Sequence, residues 1–123
     1  MLRYVIVILI VLLAACSSFA PPPVPTLSPL EIQGRSVFES YCSRCHSASG
    51  ETVVVGPSLA GIATRGMNRI DDMDSETYIR SSILDPSKYA VDGFPADVMP
   101  ASLKDELSKG DFEAVVAYLL TLK

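Results

Sequence analysis

Histidine, cysteine and positive charge are all scarce in this chain of 123 residues, and each scarcity removes a class of function. There is a single His, at position 46, and there are three Cys, at 16, 42 and 45. Outside the cluster at 42–46 only Cys16 remains, with no further His, so closed Cys/His zinc coordination fails. Lys and Arg number 10 against 14 Asp and Glu, for a formal net charge of −4, which argues against non-specific binding of nucleic acid. Internal repeats and a second domain are also absent. The one long apolar run, Tyr4 to Ala15, is short for a bilayer span, which takes about 20 residues.

What is present is concentrated in Cys42-Ser43-Arg44-Cys45-His46. The C-x-x-C-H spacing is that of a c-type haem attachment site. The x-x turn brings both thiols to one porphyrin edge, where they add to the vinyl groups, and the adjacent imidazole is presented to the iron. A thioredoxin-like dithiol would need a strand-to-helix junction in a βαβ pattern; here a helical pattern precedes the motif and no βαβ pattern follows. A plain Cys42–Cys45 disulfide is the remaining rival, and it leaves His46 without a role. The expected cofactor is one covalent haem c.

The start of the chain reads as an export signal. Met1-Leu2-Arg3 is a short basic opening, followed by the apolar run and then Leu13-Ala14-Ala15-Cys16. Residues 1–15 are expected to be a signal peptide of lipoprotein type, with cleavage leaving Cys16 as the lipid attachment site. An uncleaved anchor running on through Phe19 is the alternative. Residues 16–29 carry Pro21, Pro22, Pro23, Pro25 and Pro29 and no charge, a composition that favours polyproline II. At about 3.1 Å per residue such a spacer would hold a domain about 35–40 Å from a membrane. The expected location is the extracytoplasmic face of a cell membrane, periplasmic or outer.

Residues 30–123 form one small domain that reads as all-α. Ser28-Pro29-Leu30-Glu31 predicts a helix start, with Ser at the cap, Pro in the first turn and Glu closing a capping box. Leu30, Val37, Phe38 and Tyr41 would give its inward face. A second helix is expected from Ser75, with Ile79, Ile83 and Leu84 inward and Pro86 as its stop. A third begins near Ser108, with a capping-box pattern to Asp111, and presents Phe112, Val115, Val116, Leu119, Leu120 and Leu122 as a wide apolar stripe. Asp71, Asp72, Asp74 and Glu76 form an acidic cluster that reads better as a solvated helix start than as a docking patch. With only one His, bis-histidine ligation within the chain is impossible, and the candidates for a second axial ligand are Met67, Met73 and Met99, with an open site as the alternative. Met99 is favoured, because Pro95 and Pro100 stiffen its loop; Met67 and Met73 read as surface or core filler.

Taken together, these features resemble the class I mono-haem cytochrome c family. The resemblance runs from Gly34 to Lys123 and rests on Gly34, Phe38, the 42–46 motif, Gly56-Pro57-Ser58-Leu59, Val98-Met99-Pro100 and Tyr118. It implies that the first and last helices cross, with Gly34 allowing close approach to Tyr118. It also implies that the Pro57 carbonyl orients His46 and that His46 and Met99 ligate the iron. Arg65 and Tyr89 are looser matches, as partners for the haem carboxylates. The implied function is one-electron transfer in a respiratory or photosynthetic chain, with redox proteins as donors and acceptors and no enzymatic activity. The alternatives are a fixed haem subunit of a larger membrane complex, such as an alternative complex III or a terminal oxidase, and, more remotely, a peroxidase-like or gas-sensing protein.

Overall fold

The computed structural model of the protein describes residues 26–123. The expected signal peptide at 1–15, the lipid site Cys16 and most of the proline-rich linker lie outside the described residues. Five α-helices make up the described part: α1 (Pro29–Val37), α2 (Ile62–Arg65), α3 (Ser75–Leu84), α4 (Leu103–Glu106) and α5 (Lys109–Leu119). Among the described residues there is no strand, only an isolated antiparallel bridge between His46 and Val53. No helix among them is long and apolar enough to cross a membrane.

Local sequence sets where each long helix begins. Ser28 and Glu31 satisfy each other's backbone N–H groups in a full capping box, with Pro29 in the first turn of α1. Asp74 caps α3 by accepting from the Thr77 N–H at 2.7 Å. Ser108 caps α5 by accepting from the Asp111 N–H at 3.1 Å. The Asp111 carboxylate accepts from the Ser108 hydroxyl, at 2.7 Å, so only half of the expected box forms there. Asp85 ends α3 and Pro86 follows it.

The core is built on the crossing of α1 and α5. A Cβ placed on Gly34 would sit 1.9 Å from the Ala114 carbonyl oxygen and 2.8 Å from Tyr118 Cβ, so only glycine allows the two backbones to meet there. One turn on, the Phe38 and Tyr118 rings pack at 5.6 Å with a 55° tilt. Val115 and Val116 are fully buried beneath them. Arg80 ties α3 to α5: its guanidinium donates to both Glu113 carboxylate oxygens, at 3.0 and 2.6 Å, and lies 5.4 Å over the Phe112 ring.

Three residues expected on inward faces are substantially exposed. Leu30 is 46% exposed because it lies a turn before the Gly34 crossing. The pairs Gln33–Asp111 and Gly34–Ala114 mark where α1 meets the first turns of α5. Leu84 is exposed because Ile79 and Ile83 already fill the inward stripe of α3, and Leu84 stands off that line. Tyr41, in the π-helical turn Phe38–Cys42 that follows α1, is exposed along one wall of an open cleft rather than packed into the core.

Candidate functional site

The π-helical turn delivers Cys42 to the edge of a cleft of about 350 Å³, a size at the small end of ligand pockets. Cys45 N–H and His46 N–H both donate to the Cys42 carbonyl, at 3.0 and 2.9 Å. That tight turn carries both sulfurs and the imidazole into one lining. The Cys45 carbonyl then accepts from Val55 N–H at 3.2 Å and Gly56 N–H at 2.8 Å, which folds the following loop back over the motif.

This return places Pro57 beside His46. Nδ1 of His46 lies 2.8 Å from the Pro57 carbonyl oxygen. A carbonyl only accepts, so the ring N–H sits on Nδ1 and the lone pair of Nε2 is left free as a metal ligand. Gly56 has to be glycine for this arrangement, since a Cβ there would come within 2.4 Å of His46 Cε1. Ser58 fastens the loop: its buried hydroxyl donates to the Gly50 carbonyl at 2.6 Å and accepts from Ala60 N–H at 3.1 Å.

All the site residues expected from the sequence within the described region, Cys42, Cys45, His46, Pro57 and Met99, line this one cleft. Met67 is exposed, and Met73 packs against the core away from the cleft lining, close to the Ser81 hydroxyl. Arg65 is occupied elsewhere, donating to the Ser58 carbonyl at 2.9 Å, and is not in the lining. Arg69 is in the lining, together with Tyr78 and Tyr89. In the acidic cluster, Asp74 caps α3, Glu76 pairs with Arg80 at 2.8 Å, and Asp72 adopts a left-handed turn conformation.

The chemistry of the donors separates the rival readings. Cys42 and Cys45 are free thiols rather than a disulfide. Burial, reinforced by the neighbouring Cys45, pushes the Cys42 thiol up to about 11. A redox dithiol needs the opposite, a thiol whose pKa is depressed so that thiolate is available. Among the described residues no group of three or more His, Cys, Asp or Glu is placed to hold a metal ion. The remaining walls are largely apolar, with Ile79, Ile83, Leu103 and Leu119 prominent. Two sulfurs on one turn, an imidazole with Nε2 left free, a thioether in the same cleft and apolar walls fit a covalently held porphyrin better than a hydrated substrate.

Some lining residues carry no signal in the sequence. Ser82 sits beside Ser81 on α3, and nothing in the string distinguishes the two. Arg69 reads as an ordinary exposed basic residue. Leu103 belongs to α4, a single turn too short for periodicity to reveal.

Comparison with known proteins gives a family for the chain. The family model described as cytochrome c matches residues 32–123. The cytochrome c oxidase subunit 2 of Alkalihalophilus pseudofirmus (strain ATCC BAA-2126 / JCM 17055 / OF4) is 34% identical over 99 residues, covering 76% of this chain. The chain spans about a quarter of that relative, 26% of its length.

Proposed function

This chain belongs to the cytochrome c family, and from that membership we propose that it carries single electrons through a haem c attached at Cys42 and Cys45 and ligated by His46 and Met99. The family fold is all-helical, and its cofactor is one covalently bound haem c. The observation that most supports the assignment of residues is the meeting of Cys42, Cys45, His46 and Met99 in a single cleft, with the His46 ring fixed by Pro57.

Bound there, such a group supplies a reversible one-electron couple at iron. Cys42 and Cys45 would hold it by thioether bonds. Pro57 keeps the proton of His46 on Nδ1, so that Nε2 faces the metal in one orientation. Met99 contributes a soft, neutral sulfur that favours the reduced state over the oxidised one. The apolar walls exclude water and make the extra positive charge of the oxidised site costly. The resulting potential is positive, suited to the oxidising end of a respiratory or photosynthetic chain. With His46 and Met99 both holding such a group, no protein-free position would be left for a substrate, which is the basis for reading the protein as a carrier rather than an enzyme.

Residues 30–123 are the electron-transfer domain in this proposal. Removal of residues 1–15 leaves Cys16 lipidated, and residues 16–29 space the domain from the extracytoplasmic face of the membrane. Redox proteins are its donors and acceptors. A spectroelectrochemical titration of the haem-loaded protein tests the core of the reading. A reversible one-electron wave at positive potential, with no carbon monoxide binding to the reduced form at neutral pH, is expected. Ready carbon monoxide binding would instead indicate an open or easily displaced axial position, as in a peroxidase-like or gas-sensing protein.

A second reading has a specific observation in its favour. The relative at 34% identity is named as a subunit of an oxidase, and this chain matches 26% of its length, so a similar stretch also occurs within a larger protein that is one subunit of an assembly. In that case the chain is a fixed haem subunit rather than a tethered shuttle. Mild detergent solubilisation followed by native sizing distinguishes the two: the shuttle migrates at its own mass, and the subunit with partners.

A further inference from the structure

Nine large hydrophobic side chains are exposed among the described residues, and five of them gather at one place: Tyr41, Val53, Val54, Val55 and Val98, each between 43% and 59% exposed. Exposed apolar residues scattered singly are ordinary on a protein surface; a group gathered on one rim is not. Tyr41, Val55 and Val98 line the cleft and reach it from three separate stretches of chain: the π-helical turn, the return loop after the motif and the loop that carries Met99. Val53 and Val54 lead into Val55, and Val53 is bridged to His46, so the valine run lies alongside the 42–46 motif. Pro95, Ala96 and Pro100, also exposed, extend the apolar rim on either side of Val98.

Charge is sparse on this rim and mixed in sign. Arg44, Arg69 and Glu106 are the exposed charged side chains of the lining, and they come from three different stretches of chain. Asp97, next to Val98, stays out of the lining, and none of the four lysines belongs to it. The acidic stretch at 71–76 is also outside it; there Asp74 is spent on a helix cap and Glu76 on Arg80. A partner steered by charge would meet no field of one sign at the mouth of the cleft. The complement of an apolar rim with little net charge is an apolar face with little net charge.

We propose that the mouth of the cleft docks a redox protein through an uncharged, apolar face, with the Val53–Val55 run as the central contact and without electrostatic steering. The inference rests on the electron-transfer role proposed above and names the kind of partner that role requires. Unsteered encounters form at about 10⁵–10⁶ M⁻¹s⁻¹, well below the rates that opposite charges allow. Such a face therefore suits a partner kept close by, at high local concentration, better than one found by diffusion over a distance.

The test follows oxidation of the reduced, haem-loaded full chain by membrane vesicles of the native host, with a small uncharged quinone as a second oxidant that needs no docking face. From about 10 mM to about 0.15 M salt the screening length falls from about 30 to about 8 Å, and the wild-type rate constant with vesicles is expected to change by less than about twofold. Val54→Asp and Val54→Lys are each expected to lower it by about tenfold, since a charge of either sign would be buried unpaired against the partner. Ile32→Asp, at an exposed apolar position outside the lining, and every rate with the quinone are expected to stay at wild type. Opposite effects of the two Val54 charges, a severalfold loss of rate in salt, unchanged rates in both Val54 variants or an equal drop in Ile32→Asp would each overturn the proposal. A wild type that reduces the quinone but gives no rate with vesicles overturns the docking face alone; failure with both oxidants takes the carrier reading down with it.

Discussion

The Pro57 carbonyl and the His46 ring meet at 2.8 Å, eleven residues apart in sequence, and the contact exists because Gly56 lets the loop close against the imidazole. A Cβ at position 56 would lie within 3.0 Å of three ring atoms of His46. Orientation of the proposed iron ligand thus depends on a residue with no side chain.

Gly56→Ala is expected to tilt His46 away from Pro57 and weaken its hold on the metal. Loss of an orienting contact to a metal-bound His typically costs tenfold or more in affinity or activity. The readout is the visible spectrum of the oxidised protein with and without added imidazole. The variant should take up the external ligand at concentrations that leave the wild type unchanged.

Gly34→Ala tests the helix crossing. The new methyl would collide with backbone atoms of Ala114, which cannot move aside like the tip of a flexible side chain. Overpacking of this kind costs about 1–3 kcal/mol, and backbone involvement places this case at the upper end. Chemical denaturation of the haem-loaded variant should show an earlier midpoint; an unchanged midpoint would mean that α1 and α5 do not meet as described.

The Arg80–Glu113 contact is bidentate, but the two side chains are 31% and 43% exposed. Donation to the Glu113 and Glu76 carboxylates raises the pKa of Arg80, and the same contact holds the Glu113 carboxyl below its usual value. Because solvent and salt screen the pair, a double-mutant cycle of Arg80→Ala and Glu113→Gln should give a coupling of about 0.5–1 kcal/mol. It should shrink in molar salt.

Acid should destabilise the fold through its caps. Backbone N–H donation from Thr77 holds Asp74 below the usual carboxylate value, the Ser108 hydroxyl does the same for Asp111, and the Ser28 backbone N–H for Glu31. Each group is more readily protonated in the unfolded chain than in the folded one. The stability it contributes is therefore complete above the unfolded pKa, about 4, and is lost as pH falls through the depressed folded value. Thermal midpoints should be flat from neutral pH down to about 5 and then decline, with a shallower decline in Asp74→Asn.

The degree to which this fold could be read from the sequence varies with the range of the interactions involved. Ser28 and Ser108 cap their helices as expected, and α3 starts at Ser75 directly after its cap Asp74, because caps are local and use few residue types. The 42–46 motif is legible for the same reason. The π-helical turn at Phe38–Cys42 is not, because it adds a residue to a turn without changing composition. The one-turn helices α2 and α4 are shorter than any periodicity that could reveal them. The place of Ser82 in the cleft wall and the diversion of Arg65 to the Ser58 carbonyl depend on tertiary packing, which no single-sequence pattern encodes.

The central claim is that Cys42 and Cys45 hold a haem permanently. Intact mass spectrometry under denaturing conditions, on protein purified from cells able to attach c-type haem, examines it most directly. The polypeptide is expected to run heavier by one haem, with the added mass lost when Cys42 and Cys45 are both replaced by Ser. A bare polypeptide mass from the unmodified sequence, or added mass that survives the double replacement, would contradict the account.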